Sequence, residues 1–461
     1  MKTKILVLLS TIFLFWGCEE KTAPVFSAFE GKTLSIWAVG ETDFLEALGK
    51  EFVSTLGTQN TKVQVLSFRN QQELETTLLN QMALGKGPDV LYTNDDWVTH
   101  NKEKIVSLVG DSGLSIEKFK IFFISASQGL INGDFILGVP LGVETLGMFY
   151  NREYLEERLD LETPPSTWEA FRDNVKMLTK QDNSLTRFSL SGAAIGRTDN
   201  IQYGGEIAEN LLFQLTGNLF DQSGEAIFAT NTGVTAEGKP INFGLDALNF
   251  FLSFATPNHQ NFSWNELLAE ANSEGKDFTA FITGKTSFVF GTSQDFNKLL
   301  DLQKETQSKG EKTISEHNIA IAAFPQFSEK SSERHILASL KVLTVPHSTQ
   351  DPDFAWSFLK FAIRKENLRG FSDTTRLVSA DKELLLEQEA DATLNVWAHQ
   401  AQWATTRNYP ISMKDVLGEL ASLINNIHQG KIVTSTGLTR LQEQFRTQWH
   451  RIQALRQALA L

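Results

Sequence analysis

Short apolar runs alternate with amphipathic stretches along the first third of the chain. Leu34–Val39 (L-S-I-W-A-V) predicts a strand, and after Gly40-Glu41-Thr42 an apolar stripe at Phe44, Leu45, Leu48, Phe52 and Val53 predicts a helix over 43–56. Lys62–Phe68 predicts a second strand. Gln71–Leu84 predicts a second helix, stopped by Gly85-Lys86-Gly87-Pro88, and Asp89–Tyr92 a third strand. Strand, helix, strand, helix, strand at this spacing is the pattern of a parallel α/β sheet. In such sheets ligands bind beyond the carboxyl ends of the strands. Those ends carry Glu41, Asn70, Asn94, Asp96 and Trp97. Trp97 has a second reading, as a core residue at the start of a helix, and Asp89 reads as part of the local turn after Pro88.

The pattern then changes to a glycine-rich joint. Phe135–Pro140 and Thr145–Asn151 read as two strands, with Gly138 and Gly142 freeing the backbone and Pro140 withholding one donor. Glu144 sits inside this joint, where packing gives an acid no reason to be; it is either a solvated residue of a hairpin or a cleft-facing residue at a crossing between lobes. Further helices are predicted at 168–179, 206–216, 244–255 and 353–363, with 416–427 and 438–459 closing the chain. Phe278–Gly291 predicts a helix stopped at Gly284 and a strand over 287–290, and Asn318–Phe324 and Leu340–Val345 read as strands. Pro325–Arg334, charged and turn-rich, reads as a second crossing, and Ser372–Ser379 as a third.

Length adds that one core is too small for 461 residues, so two or three domains are expected. A net charge of −13 argues against nucleic acid and against an anionic membrane surface as partners. Lys2 and Lys4, the apolar run Ile5–Trp16 and then Gly17-Cys18 predict a signal peptide over 1–17. The run is too short to span a bilayer, which needs about 20 residues. Cys18 is the single cysteine, so the fold is expected to hold without disulfides. Its position resembles a bacterial lipobox, although Phe15 and Trp16 stand where that pattern prefers Leu and a small residue. Lipidation at Cys18 and a polar tether over 18–32 are expected.

Gly-Val-Pro-Leu-Gly-Val-Glu-Thr-Leu-Gly-Met-Phe-Tyr-Asn-Arg (138–152), followed by Pro164-Pro165-Ser166-Thr167-Trp168-Glu169-Ala170-Phe171, resembles the family 1 extracellular solute-binding proteins. Three more stretches resemble the same family: Ala-Leu-Gly-Lys-Gly-Pro-Asp-Val-Leu (83–91), Ala-Phe-x-x-Gly-Lys-x-x-Phe-x-x-Gly (280–291) and Asp-Phe-Ala-Trp-Ser-Phe-Leu-Lys-Phe (353–361). The resemblance spans roughly residues 33–430. It implies a two-lobed α/β periplasmic-binding-protein fold of type II, each lobe a mixed sheet flanked by helices, crossed three times. The lobes expected are 33–142 with 334–372, and 143–326 with 376–461.

The implied function is an extracytoplasmic receptor that binds a carbohydrate, an oligosaccharide above all, and delivers it to an ABC importer. Expected partners are the sugar, the transporter permease and, through the lipid alone, the membrane; the protein is expected to be a monomer. An exported carbohydrate-active enzyme, or a surface sensor or adhesin on the same fold, are the alternatives. Besides the strand-end residues, the candidate ligand-binding residues are Glu144, Tyr150, Gln202, Tyr203, Gly291, Thr292, Ser293, Arg376 and Trp403. Asn200 reads either as a cleft residue or as a helix cap. Aromatic rings stack on sugar faces while acids, amides and arginine satisfy hydroxyls.

No catalytic signature competes with this reading. There is no H-E-x-x-H, G-x-S-x-G, P-loop or cysteine–histidine spacing, and the eight histidines are scattered. Gly110-Asp111-Ser112-Gly113 imitates a serine-protease motif but reads as a surface turn. Asp95-Asp96 and Glu156-Glu157 are adjacent, so neither pair can flank one bond. Neither a cofactor nor a metal is expected.

Overall fold

Two mixed β-sheets carry the chain, described from a computed structural model over residues 29–58, 60–110, 113–182, 187–234, 238–268 and 276–459. The signal peptide, Cys18 and most of the tether lie outside the described residues, as do Asp111 and Ser112. The first sheet contains β1 (Thr33–Ala38), β2 (Lys62–Ser67), β3 (Val90–Asn94) and β4 (Gly138–Thr145). The second contains β5 (Gly147–Asn151), β6 (Lys180–Gln181), β7 (Phe188–Ala193), β8 (Thr286–Gly291) and β9 (Ile319–Ala323). The chain then returns to the first sheet as β10 (Leu337–Thr344), β11 (Val378–Ser379) and β12 (Thr405–Thr406).

The first sheet runs β11-β4-β10-β3-β1-β2, with β12 beside the start of β10; the second runs β9-β5-β8-β7-β6. β1 pairs in parallel with β2 and β3, as the alternating pattern predicts, and β10 inserts antiparallel between β3 and β4. In the second sheet β7 and β8 are parallel, while β5 runs antiparallel to both β8 and β9. Each sheet is the centre of one lobe.

The glycine-rich joint differs from its expected form. Phe135–Ile136 belongs to a small separate sheet, and Gly138–Thr145 is one continuous strand. Its glycines serve close approach rather than a turn. A Cβ at Gly142 would lie 2.8 Å from the Phe371 ring, and one at Gly138 2.7 Å from the Leu343 carbonyl. Pro140 lies beside a bulge in the β4–β10 pairing, where its missing N–H does least harm to the ladder. The crossing from sheet to sheet is therefore only Leu146 long.

Between β9 and β10 the chain passes from the second sheet back to the first over residues 324–336. The third crossing does not coincide with 372–379. Arg376, at φ 64°, reverses the chain after helix Lys365–Thr375, and Val378–Ser379 returns as an edge strand on β4. Only after β12 does the chain reach helix Met413–His428, which packs on helix Gly204–Thr216 of the second lobe. Asp89 also differs: rather than closing a local turn it accepts from Ser35 N at 2.9 Å and Thr349 Oγ1 at 2.7 Å, tying β1 to the segment after β10.

The second lobe's core is aromatic. Trp168, fully buried, contacts the rings of Phe171, Phe290 and Phe324, and its indole N–H donates to Gln214 at 2.8 Å. No helix among the described residues is long and apolar enough to cross a membrane.

Candidate functional site

Because β4 ends where the chain crosses, the residues at its end face the space between lobes. Glu144 lies across from Ser339 on β10, and Lys341 Nζ lies 3.1 Å from Glu144 Oε2. The Glu144 charge raises the Lys341 pKa against the opposing effect of burial, and Glu41 and Asp95 add to it. Glu41 follows β1 in the left-handed region, φ 54°, which turns it out of the strand line before helix Thr42–Leu56 begins. Its carboxylate accepts from Gln294 Nε2 of the other lobe at 3.1 Å. Tyr92 of β3 is buried, and its hydroxyl has no hydrogen-bond partner. Burial pushes that phenol well above its ordinary pKa, and the charges of Glu41 and Glu144 push the same way.

The second lobe supplies the facing wall from the end of β8 and the start of helix Gly204–Thr216. Asp295 is fully buried and gathers four donors. Tyr203 Oη at 2.8 Å, Thr292 N at 2.7 Å and Thr292 Oγ1 at 3.0 Å reach Oδ2, and Lys298 Nζ at 2.7 Å reaches Oδ1. A Cβ at Gly291 would lie 2.9 Å from that same Oδ2. The Tyr203 phenol is pushed up by burial, then by Asp295 and Glu144. Glu206, half-buried in the first turn of the helix, rises to about 7. Burial raises it, its own N–H opposes, Glu209 adds, Arg407 opposes and Glu144 adds again.

A buried ion pair closes the floor. Arg407 Nη2 donates to Glu209 Oε2 at 2.6 Å and Nε reaches both carboxylate oxygens, while Nη1 donates to Ala338 O and Ser339 Oγ. The Glu209 charge holds Arg407 protonated against its burial. Asp95, buried alongside, accepts from Leu340 N at 2.8 Å, and burial raises it to about 6. Acids and cations from both lobes, Glu41, Glu144 and Lys341 from the first and Glu206 and Asp295 from the second, thus line one inter-lobe space around the unpartnered Tyr92 phenol. Such a set can donate hydrogen bonds to a polyhydroxy ligand and accept them from it.

Of the residues singled out from sequence, Glu41, Glu144, Tyr203 and the Gly291–Ser293 turn come together here. Thr292 and Ser293 are buried, with the Thr292 hydroxyl already on Asp295. The others have local duties. Asn70 and Asn94 cap helices, accepting from Glu73 N and Trp97 N. Asp96 accepts from Met413 N at 3.0 Å. Trp97 is 7% exposed and packs in the core, its second reading. Tyr150 is buried beside Phe288, at the end of β5 away from the crossing. Gln202 is exposed, Arg376 donates to Thr393 Oγ1, and Trp403 is half-buried with its indole nitrogen unpartnered. Asn200 is no cap: it is buried between Trp264 Nε1 and Asn265 O.

Lys341, Tyr92, Glu206, Glu209, Arg407 and Gln294 escaped the reading of the sequence. For two of them a signal existed, because Lys341 interrupts an apolar strand and Glu209 an apolar helix face, as Glu144 does its own strand. No group of three or more metal-ligating side chains that could hold an ion occurs among the described residues.

A family model described as bacterial extracellular solute-binding protein matches residues 38–368. No curated protein sequence matches the chain. Among solved structures the chain is similar to the sugar-binding protein MalE from Xanthomonas citri, at 15% identity and a TM-score of 0.73, over 92% of this chain and 99% of that one. It is similar to the GacH receptor of Streptomyces glaucescens, solved unliganded and with acarbose, at 15% identity and a TM-score of 0.65, over 90% and 97%. The Thermus thermophilus maltotriose binding protein, bound with maltotriose, matches at 17% identity and a TM-score of 0.62, over 90% and 99%.

Proposed function

The chain belongs to the bacterial extracellular solute-binding proteins, and from that premise we propose that it captures a carbohydrate in the inter-lobe cleft and hands it to an ABC importer. One observation carries the proposal: Glu41, Glu144, Lys341 and the unpartnered Tyr92 hydroxyl converge where the first lobe faces Gln294 and Tyr203 of the second. Hydroxyls of a neutral sugar can donate to the acids and accept from Lys341 and Tyr92, while the lobes exclude water by closing. Similarity of fold to proteins solved with acarbose and maltotriose supports an oligosaccharide as the solute.

The sugar is released unchanged in this reading. Lipid on Cys18 tethers the mature chain beside its permease, and the importer is the partner that opens the lobes. A thermal-shift screen of residues 19–461 against mono- and oligosaccharides, amino acids and short peptides tests the solute class. A ligand at 100 times its dissociation constant stabilises the native state by about 2.7 kcal/mol. A selective rise with the sugar recovered intact is the expected outcome; cleavage of the sugar, or a response confined to peptides, refutes it. Mass spectrometry of the chain purified from its membrane tests the anchor, since acylation at Cys18 predicts a modified N-terminal peptide absent in Cys18→Ser.

A further inference from the structure

A cavity of about 580 Å³ lies between the lobes beyond the floor of the cleft, sharing Asp95 and Arg407 with that floor. One wall comes from the first lobe, with His100, Lys102 and Leu340; the other comes from the second, with the 221–224 turn, Trp449 and Arg456. Successive residues of a strand point to opposite faces. Leu340 lines this groove, whereas Lys341, the next residue of β10, meets Glu144 in the cleft. The groove therefore opens on the other face of the first sheet.

Its charges are unevenly satisfied. Arg407 is paired with Glu209, and Asp95 accepts from Leu340 N. Asp221 accepts from Ser223 N and Oγ and from Glu225 N, which hold it ionised within its own turn. Lys102 and Arg456 have no carboxylate at ion-pair distance among the described residues. The Arg456 guanidinium lies 5.8 Å from the Trp449 ring centroid; at His100 burial and the Arg456 charge oppose protonation, but Asp96, its carboxylate 3.4 Å from Nδ1, outweighs them and raises the pKa. His100 bonds the Asp96 carbonyl through Nδ1, and its Nε2 is buried without a partner. In a chain of net charge −13 these unmatched donors are concentrated in one groove.

We propose that this groove binds a small organic polyanion, a di- or tricarboxylate or a phosphate ester, held between Lys102 of one lobe and Arg456 of the other. Its volume falls within the range of about 300–1,000 Å³ typical of small-molecule sites. Guanidinium and ammonium groups are the usual partners of carboxylate and phosphate oxygens, and the Trp449 ring offers an apolar face to the ligand's carbon skeleton. Because its two cations sit on different lobes, an occupant there is linked to the position of the hinge and so to the affinity of the cleft.

Isothermal titration of the mature chain with citrate and, separately, glycerol 3-phosphate, at ionic strength held constant with sodium chloride, tests this. One saturable site is expected for at least one of them, with the stronger binder telling carboxylate from phosphate recognition. Lys102→Ser/Arg456→Ser should bind that anion at least tenfold more weakly, with its thermal midpoint unchanged in chloride buffer. Single substitutions should each give a partial loss, which keeps the test open should the double variant fold poorly. Absence of saturable binding for both anions, or undiminished binding by folded variants, overturns the proposal.

Discussion

Glu144 and Lys341 are partly exposed, and their pairing therefore contributes only about 1 kcal/mol to folding. A ligand hydroxyl bonded to that carboxylate is worth about 1.5–3 kcal/mol. Glu144→Gln should weaken sugar binding by roughly 10–100-fold while leaving the thermal midpoint nearly unchanged, and equal affinity in both proteins would remove Glu144 from the site. Asp277 makes the opposite kind of prediction. It is fully buried at the start of helix Lys276–Ile282, and burial, against the N–H groups of Gln202 and Phe278, raises it from 3.8 to about 7. The unfolded chain thus gives up this proton first as pH rises, so stability falls between about pH 4 and 7 and levels off above. Asp277→Asn should be the more stable protein at pH 8, by at most ~4 kcal/mol, and the gap should vanish near pH 4. A gap independent of pH would show that the carboxyl is not the source.

At the scale of elements, a strand that leaves one sheet for another takes its backbone groups out of the ladder, and buried groups then need other partners. Glutamines supply them here. Gln400, fully buried on helix Asn395–Ala401, donates to Thr145 Oγ1 and Leu146 O beside the first crossing and accepts from Phe324 N in the second. Gln214 donates to Pro325 O and His335 O, and Gln326 accepts from His335 N. Gln400→Leu keeps the volume but strands Phe324 N–H and Leu146 C=O, at about 1–3 kcal/mol each. A fall of roughly 2–5 kcal/mol in chemical denaturation is expected, and a change under 1 kcal/mol would mean that water replaces the amide. The strands and helices themselves were legible because periodicity is local; the caps were less so, since Asn70 and Asn94, which read as ligand residues at strand ends, instead accept from the first turn of their own helices. Gln400 was not, since one amide on a helix has no periodic signature and its partners lie about 75 and 255 residues away. Gly138 and Gly142 misled for a related reason: a glycine that admits a neighbouring ring reads in sequence like one that makes a turn.

For the whole molecule, the sequence motifs made two lobes and a cleft visible, but which side chains meet across the cleft depends on the angle between the lobes, a property no single stretch encodes. The hydrogen bond from Gln294 to Glu41 is such a meeting, with donor and acceptor contributed by different lobes. Because its two ends sit on different lobes, opening of the cleft would part them, and its free energy would then belong to the closed state. Removing it should leave entry of the sugar untouched and speed its escape, because the open protein receives the ligand while the closed one retains it. Gln294→Ala is therefore expected to raise the sugar's dissociation rate by roughly 2–10-fold, the effect of one partly exposed hydrogen bond of about 0.5–1.5 kcal/mol, with the association rate unchanged. Stopped-flow fluorescence from the native tryptophans reads both rates. In small-angle scattering the ligand-free parent should have a larger radius of gyration than its sugar complex. A slower association with an unchanged dissociation rate would instead mean that the lobes already touch before the sugar arrives, and that closure is not the step that holds it.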